Sequence, residues 1–216
     1  MYSHVFFDWD GCIANTLRVW VRAYQQTLPN YGINVSTKDI WEKLQKGNVF
    51  RQYPIDDWLQ CRTDTRNVAM GLLERADLYD NAKASLLNMA NQCTLGIVSN
   101  SPSEQLRLVL SRNKIEDIFS SIIAKEDMVE PKPHPGGILK TMELLHAKPQ
   151  KTLFVGDSHK DLEAAQRAGV DSVLFYPVEH EDLYELDWLK VHEPTYIIRN
   201  FRELERVVVG RSDGND

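Results

Sequence analysis

The chain has 216 residues, 43% hydrophobic and 26% charged, an ordinary globular make-up with room for one sizeable core or a core plus a small accessory domain. A net charge of −6 argues against a nucleic-acid partner, because gripping a phosphate backbone calls for a basic face. Cys12, Cys61 and Cys93 match no metal or disulfide spacing and read as thiols of a reducing cytoplasm; with no secretory h-region and no apolar run of membrane-span length, neither export nor insertion is expected.

His4 to Phe7 is a short apolar run that stops at Asp8-Trp9-Asp10-Gly11, the pattern of a buried strand entering a tight polar loop. From 17 to about 79 the pattern turns helical and polar, with Leu17, Val21, Tyr24 and Leu28 spaced as one helix face. Gly32, Gly47-Asn48 and Pro54 divide this stretch into shorter pieces, and Arg18, Arg22, Lys46 and Arg51 within it read as solvated surface. Beyond Asp80 helix and strand alternate. A helix is expected over 82–92 and a strand over 94–98, then a helix opened by Ser101 as N-cap with Pro102 at its first position. A strand over 121–124, a helix over 135–146 and a strand over 152–155 follow, then a helix over 161–168 closed by Gly169. Strands over 172–176 and 196–198 end the series. Strands separated by such helices imply βαβ units and a parallel sheet covered on both faces. The expected fold class is therefore α/β. A Rossmann-like three-layer core over 1–16 and 80–210 is interrupted by an all-helical domain over 17–79, and 211–216 is a frayed polar tail.

Polar groups collect at the carboxyl ends of the expected strands: Asp8 and Asp10 with Gly11, Ser99-Asn100, Lys132, and Gly156-Asp157-Ser158 with Asp161. In an open parallel sheet that edge binds ligands, so clusters far apart in sequence can meet. Asp8, Asp10 and Asp157 gathered together would repel without a cation, and hard oxygen donors with no matching His or Cys favour Mg²⁺ over zinc. Ser99, Asn100 and Lys132 then offer a hydroxyl, an amide and a positive charge to the oxygens of a phosphate, while Gly11 lets the backbone approach it. One carboxylate of the Asp8/Asp10 pair can attack phosphorus; the other can protonate the leaving group and later activate water. Taken singly, each of these motifs reads as an ordinary turn or cap. Their conjunction on successive strand ends is what points to catalysis.

The run Asp8-Trp9-Asp10-Gly11-Cys12-Ile13-Ala14-Asn15-Thr16 resembles the first motif of the haloacid dehalogenase superfamily. Ser99 resembles its second motif, Lys132-Pro133 its third and Gly156-Asp157-Ser158-x-x-Asp161 its fourth, in order along nearly the whole chain. The resemblance is to phosphoglycolate phosphatase-like members, whose helical (C1-type) cap lies between the first two motifs, where 17–79 falls. It implies Asp8 as nucleophile and Mg²⁺ ligand, Asp10 as general acid/base with its carbonyl on the metal, Asp157 as a further ligand and Asp161 as support for the metal. Ser99 and Lys132 would hold the phosphoryl group. Cys12 stands where the family carries Thr, and Asn15 where phosphoglycolate phosphatases commonly carry Asp. The resemblance thus implies a Mg²⁺-dependent phosphatase acting on a small phosphorylated metabolite, phosphoglycolate or another, through an aspartyl-phosphate. Asp10 favours phosphate-ester over carbon–halogen chemistry. A phosphosugar mutase, a pyrophosphatase or a non-catalytic binding protein are the alternatives, and a cytoplasmic monomer or homodimer is expected. His134 and His159 read as solvated loop residues, 177–194 as a surface excursion, and Lys46-Gly47-Asn48-Val49 as the loop that sets specificity.

Overall fold

The computed structural model describes residues 1–210, with Gln45 described by its backbone alone; the expected frayed tail at 211–216 lies outside the described residues. Six strands make one parallel sheet: β1 (His4–Phe7), β2 (Thr94–Val98), β3 (Phe119–Ile123), β4 (Thr152–Gly156), β5 (Asp171–Phe175) and β6 (Tyr196–Ile198). The helices are α1 (Leu17–Thr27), α2 (Thr37–Gln45), α3 (Trp58–Leu73), α4 (Ala82–Ala90), α5 (Ser103–Asn113), α6 (Gly136–Leu144), α7 (His159–Ala168), α8 (Leu186–Lys190) and α9 (Phe201–Val209). None is long and apolar enough to cross a membrane, among the described residues.

The strand order is β3-β2-β1-β4-β5-β6, so the chain steps outward from β1 and then returns to lay β4 along its other side. Phe7 is level with Ile97 of β2 and with Val155 of β4. Such a reversal opens a crevice beyond the carboxyl ends of the two strands that flank it, here β1 and β4. Because β1 has neighbours on both edges and helices on both faces, its residues after His4 are all apolar. Alternation sends Phe6 to one face, where Phe154, Ile138 and Met142 of α6 and Ala164, Ala165 and Ala168 of α7 surround it. Phe7 goes to the other face and stacks on Phe201 of α9 at 6.4 Å. Burying Val5, Phe6 and Phe7, all fully enclosed, contributes on the order of 1.5–3 kcal/mol each.

The chain divides into two compact units, Met1–Ala14 with the chain from Leu78 onward, and Asn15–Asp77. The second is entirely helical. Ser36 accepts the Asp39 N–H at 3.1 Å to open α2, and Asp57 accepts the Gln60 N–H at 3.0 Å to open α3. Its interior sets Tyr24 against Phe50 at 5.3 Å. Arg51 is not simply solvated: its guanidinium lies over the Trp58 ring at 4.7 Å.

Several boundaries differ from expectation for local reasons. Helix α5 opens at Ser103 with Pro102 before it, because the Ser101 side chain is turned elsewhere (below). Helix α7 opens at His159, since Ser158 and Asp161 form a capping box two residues ahead of the expected start. Helix α9 was not anticipated; Asn200 caps it by accepting the Glu203 N–H at 3.1 Å, and Phe201, Leu204 and Val208 are its buried face.

Candidate active site

The loop leaving β1 begins as an extension of the sheet, with the Asp8 N–H donating to the Val155 carbonyl at 2.8 Å. It then reverses in one tight turn: the Trp9 carbonyl accepts the N–H groups of Cys12, Ile13 and Ala14 at 3.3, 3.1 and 3.0 Å. Gly11 has φ +79°, a left-handed conformation that suits glycine, and its N–H donates to the Ala14 carbonyl at 2.9 Å. Gly11, expected beside the phosphate, thus has its amide engaged in the turn. The buried Trp9 ring and the Cys12 thiol, 3.5 Å from the Val155 carbonyl, hold the loop down on the sheet.

Lys132 is 4% exposed, and its Nζ lies 2.6 Å from Asp8 Oδ1 and 2.6 Å from Asp161 Oδ1. Asn100 brackets its backbone, accepting the Lys132 N–H at 2.8 Å and donating to the Lys132 carbonyl at 3.0 Å. The amide expected to reach a phosphate is instead committed to placing the lysine. Ser99 is buried and its Oγ accepts the Ser101 N–H at 3.1 Å, which leaves the Ser99 O–H to donate. Ser101, expected as a helix cap, donates its hydroxyl to Asp10 Oδ2 at 2.5 Å. Asp161 divides its oxygens: Oδ1 meets Lys132, while Oδ2 accepts the Ser158 N–H at 3.1 Å and the Ser158 hydroxyl at 2.6 Å. Gly156 makes room for this, since a Cβ there would sit 2.3 Å from Asp161 Cβ and 2.4 Å from its Cγ.

Carboxylate oxygens of Asp8, Asp157 and Asp161 lie within 4.8 Å of one another, all buried. Burial raises the Asp8 carboxyl to about 7, with Asp161 adding to the rise and Lys132 opposing it. Burial likewise pushes Asp157 well up, reinforced by Asp161 and Asp8. For Lys132 burial works downward, but Asp161 and Asp8 outweigh it and hold the ammonium firmly charged. Three carboxylates facing one ammonium leave the cluster short of positive charge. Its donors are hard oxygens without sulfur or imidazole, which fits a divalent cation such as Mg²⁺. The Asp10 side chain is not part of this cluster; it faces Ser101.

The sequence matches the haloacid dehalogenase-like hydrolase family over residues 5–175. The chain belongs to that family. As a member it is similar to the pyrophosphatase PpaX of Oceanobacillus iheyensis, 27% identical over 208 residues that cover 94% of this chain and 95% of that one. Among solved structures it resembles one from Haemophilus somnus described as a predicted phosphoglycolate phosphatase, with a TM-score of 0.82 and 21% identity over 95% of this chain and 97% of that one. It also resembles the HAD-hydrolase YfnB of Bacillus subtilis, solved bound to magnesium, with a TM-score of 0.74 and 20% identity over 96% of this chain and 99% of that one. These two structural likenesses carry the α/β fold.

Two residues of this haloacid dehalogenase-like hydrolase lie near the cluster in ways the sequence reading missed. The Tyr184 hydroxyl donates to Asp157 Oδ2 at 2.8 Å. Tyr184 belongs to the stretch taken as a surface excursion, and the signal available was Tyr176, His180 and Tyr184 at four-residue spacing directly after β5. His159 is not a solvated loop residue: it opens α7, its ring packs on Trp188 at 4.9 Å and His192 at 5.8 Å, and burial lowers its pKa.

Proposed function

We propose that this hydrolase is a Mg²⁺-dependent phosphatase that cleaves a small phosphorylated metabolite through an aspartyl-phosphate on Asp8. The observation that carries the reading is the setting of Asp8 at the mouth of the β1/β4 crevice, its Oδ1 2.6 Å from the buried Lys132 ammonium. Asp10, two residues on, supplies the second carboxyl that the chemistry needs. An Asp8 carboxylate oxygen forms a bond to phosphorus as the bond from phosphorus to the leaving oxygen breaks, and Asp10 gives that oxygen its proton. Asp10 then takes a proton from water, whose oxygen attacks phosphorus, releasing phosphate and restoring the Asp8 carboxylate. Lys132 and the Ser99 hydroxyl hold the phosphoryl oxygens as charge builds on them. Asp8, Asp157 and the Asp10 carbonyl would hold Mg²⁺ with Asp161 supporting it, and the bound cation would offset charge on the carboxylates and the phosphoryl group. The magnesium bound to YfnB supports that choice of metal. Residues 17–79 are read as the cap, the source of substrate selection.

A second reading is pyrophosphate hydrolysis by the same residues, favoured by the similarity to PpaX. Both are tested by a phosphate-release panel containing phosphoglycolate, phosphosugars and pyrophosphate, run with Mg²⁺ and with EDTA. Release that needs Mg²⁺ and disappears in Asp8→Asn is the expected result, and the preferred compound separates ester from anhydride. Isomer formation without free phosphate would indicate a mutase. No turnover of any compound would overturn the catalytic reading and leave a binding protein.

A further inference from the structure

Tyr184 comes from the chain between β5 and β6, remote in sequence from every motif that identifies the site. Its hydroxyl nonetheless ends 2.8 Å from Asp157 Oδ2, with Tyr184 6% and Asp157 2% exposed. Lys132, the ammonium of the site, bonds Asp8 and Asp161. Among the described residues, the side-chain donor to the Asp157 carboxylate is this phenol.

We propose that Tyr184 is a positioning residue for the metal ligand Asp157, holding one carboxylate oxygen so that the other is presented to the cation. The inference rests on the reading of Asp157 as a ligand. Asp157 sits on the first residue past β4, and a lone carboxylate there can rotate about its Cα–Cβ and Cβ–Cγ bonds. A donor fixed at one oxygen removes that freedom. The donor is itself fixed. The Tyr176 hydroxyl donates to the Tyr184 carbonyl at 2.6 Å, and the Tyr184 N–H donates to the His180 carbonyl at 2.9 Å. The His180 ring lies 5.7 Å from the Tyr184 ring, with its Nε2 2.7 Å from the Tyr79 hydroxyl. An enclosed aromatic cage therefore backs the phenol. A buried tyrosine needing only a partner for its hydroxyl would show the same bond, so the test must read the metal and not the fold.

Tyr184→Phe keeps the ring and removes the donor. Mg²⁺ affinity is measured by calorimetry without substrate on wild type, Tyr184→Phe and Asp157→Asn, with the melting temperature in EDTA as the control for folding. Tyr184→Phe should bind Mg²⁺ about tenfold more weakly, as loss of a partner behind a metal ligand typically does, and phosphate release should recover as Mg²⁺ is raised to saturation. Wild-type affinity in a folded Tyr184→Phe, with Asp157→Asn impaired, overturns this inference alone. Equal Mg²⁺ binding by wild type and Asp157→Asn overturns the ligand reading, and the inference with it. Should Tyr184→Phe fail to fold, Tyr176→Phe leaves the phenol but removes its strut, and should weaken Mg²⁺ binding by about threefold, less than the roughly tenfold expected when the donor itself is lost; unchanged affinity there overturns the inference too.

Discussion

Lys132→Met removes the ammonium that bonds Asp8 and Asp161 while keeping a side chain of similar length and shape, so the change is one of charge and not of packing. Lys132 Nζ contacts both Asp8 and Asp161 at 2.6 Å with only 4% of the residue exposed. Breaking a buried ion pair by deleting one partner costs about 3–5 kcal/mol, because the remaining charge is stranded away from water. Here two carboxylates are stranded, which argues for the upper part of that range. Protonation of Asp8, already raised to about 7 by its burial, moderates the cost. A loss of about 4 kcal/mol is expected in urea unfolding at pH 7.5 with EDTA. Saturating Mg²⁺ should narrow the gap, since the cation meets the same carboxylates without a competing ammonium; the variant should bind Mg²⁺ more tightly than wild type. Phosphate release should nevertheless fall by about 10²-fold or more, as expected when a donor to the phosphoryl oxygens is lost. A loss below about 1 kcal/mol in EDTA, the level of an exposed pair, or a gap indifferent to Mg²⁺, would refute the reasoning.

Asp8→Asn should change stability in a pH-dependent sense. In the metal-free fold the Asp8 carboxyl is raised from 3.8 to about 7, so the folded chain holds that proton more tightly than the unfolded one. The stability this contributes is fully present below about pH 4 and is lost as the pH climbs through about 7. In EDTA the Asn variant should therefore gain on wild type as pH rises from 4 to 8 in thermal unfolding, and a gap that stays constant would contradict the assignment. Ser101→Ala deprives Asp10 of its hydroxyl partner; kcat should drop about tenfold, the worth of a hydrogen bond to a charged group, with KM little altered in steady-state kinetics. Gly156→Ala places a methyl 2.3 Å from Asp161 Cβ, so urea unfolding should show a loss of about 1–3 kcal/mol or more; wild-type stability would mean that Asp161 can move aside.

The fold was legible because β1, β2 and β4 are apolar runs that stop at Asp or Ser and β5 is one that stops at Tyr176-Pro177, a signal that needs no knowledge of the tertiary partners. The acidic residues of the site were legible for a related reason: strand ends of a parallel sheet lie on one edge, so Asp8 and Asp157 could be placed together without coordinates. Side-chain direction was not. Asn100 and Ser101 are short polar residues next to a strand end, equally suited to a ligand, a cap or a neighbour. Only the approach of the loop carrying Lys132 shows that Asn100 brackets a backbone, and only the path of the loop after β1 shows that Ser101 reaches Asp10. Tyr184 was harder still, because its partner is 27 residues away and the four-residue spacing of Tyr176, His180 and Tyr184 marks a packed face without showing what it meets. Helix α9 could have been found: Asn200 and Glu203 spell a cap ahead of Phe201, Leu204 and Val208 at helical spacing.

The seat of β4 beside β1 ties activity to the order in which the chain leaves the ribosome. Once residues through Val98 have emerged, β2 can cover one edge of β1. The other edge stays bare until Thr152–Gly156 has been made, and until then Asp8 lacks both the Val155 carbonyl that anchors its amide and the Asp157 that faces it. A bare apolar edge is a template for pairing with foreign strands. The nascent chain thus carries a bare apolar edge at the strand that leads into Asp8, and the same docking event both closes that edge and brings Asp157 to Asp8. Chains halted just before Thr152 should accordingly aggregate on release and liberate no phosphate, whereas soluble, active fragments of that length would show that β4 is dispensable to the site.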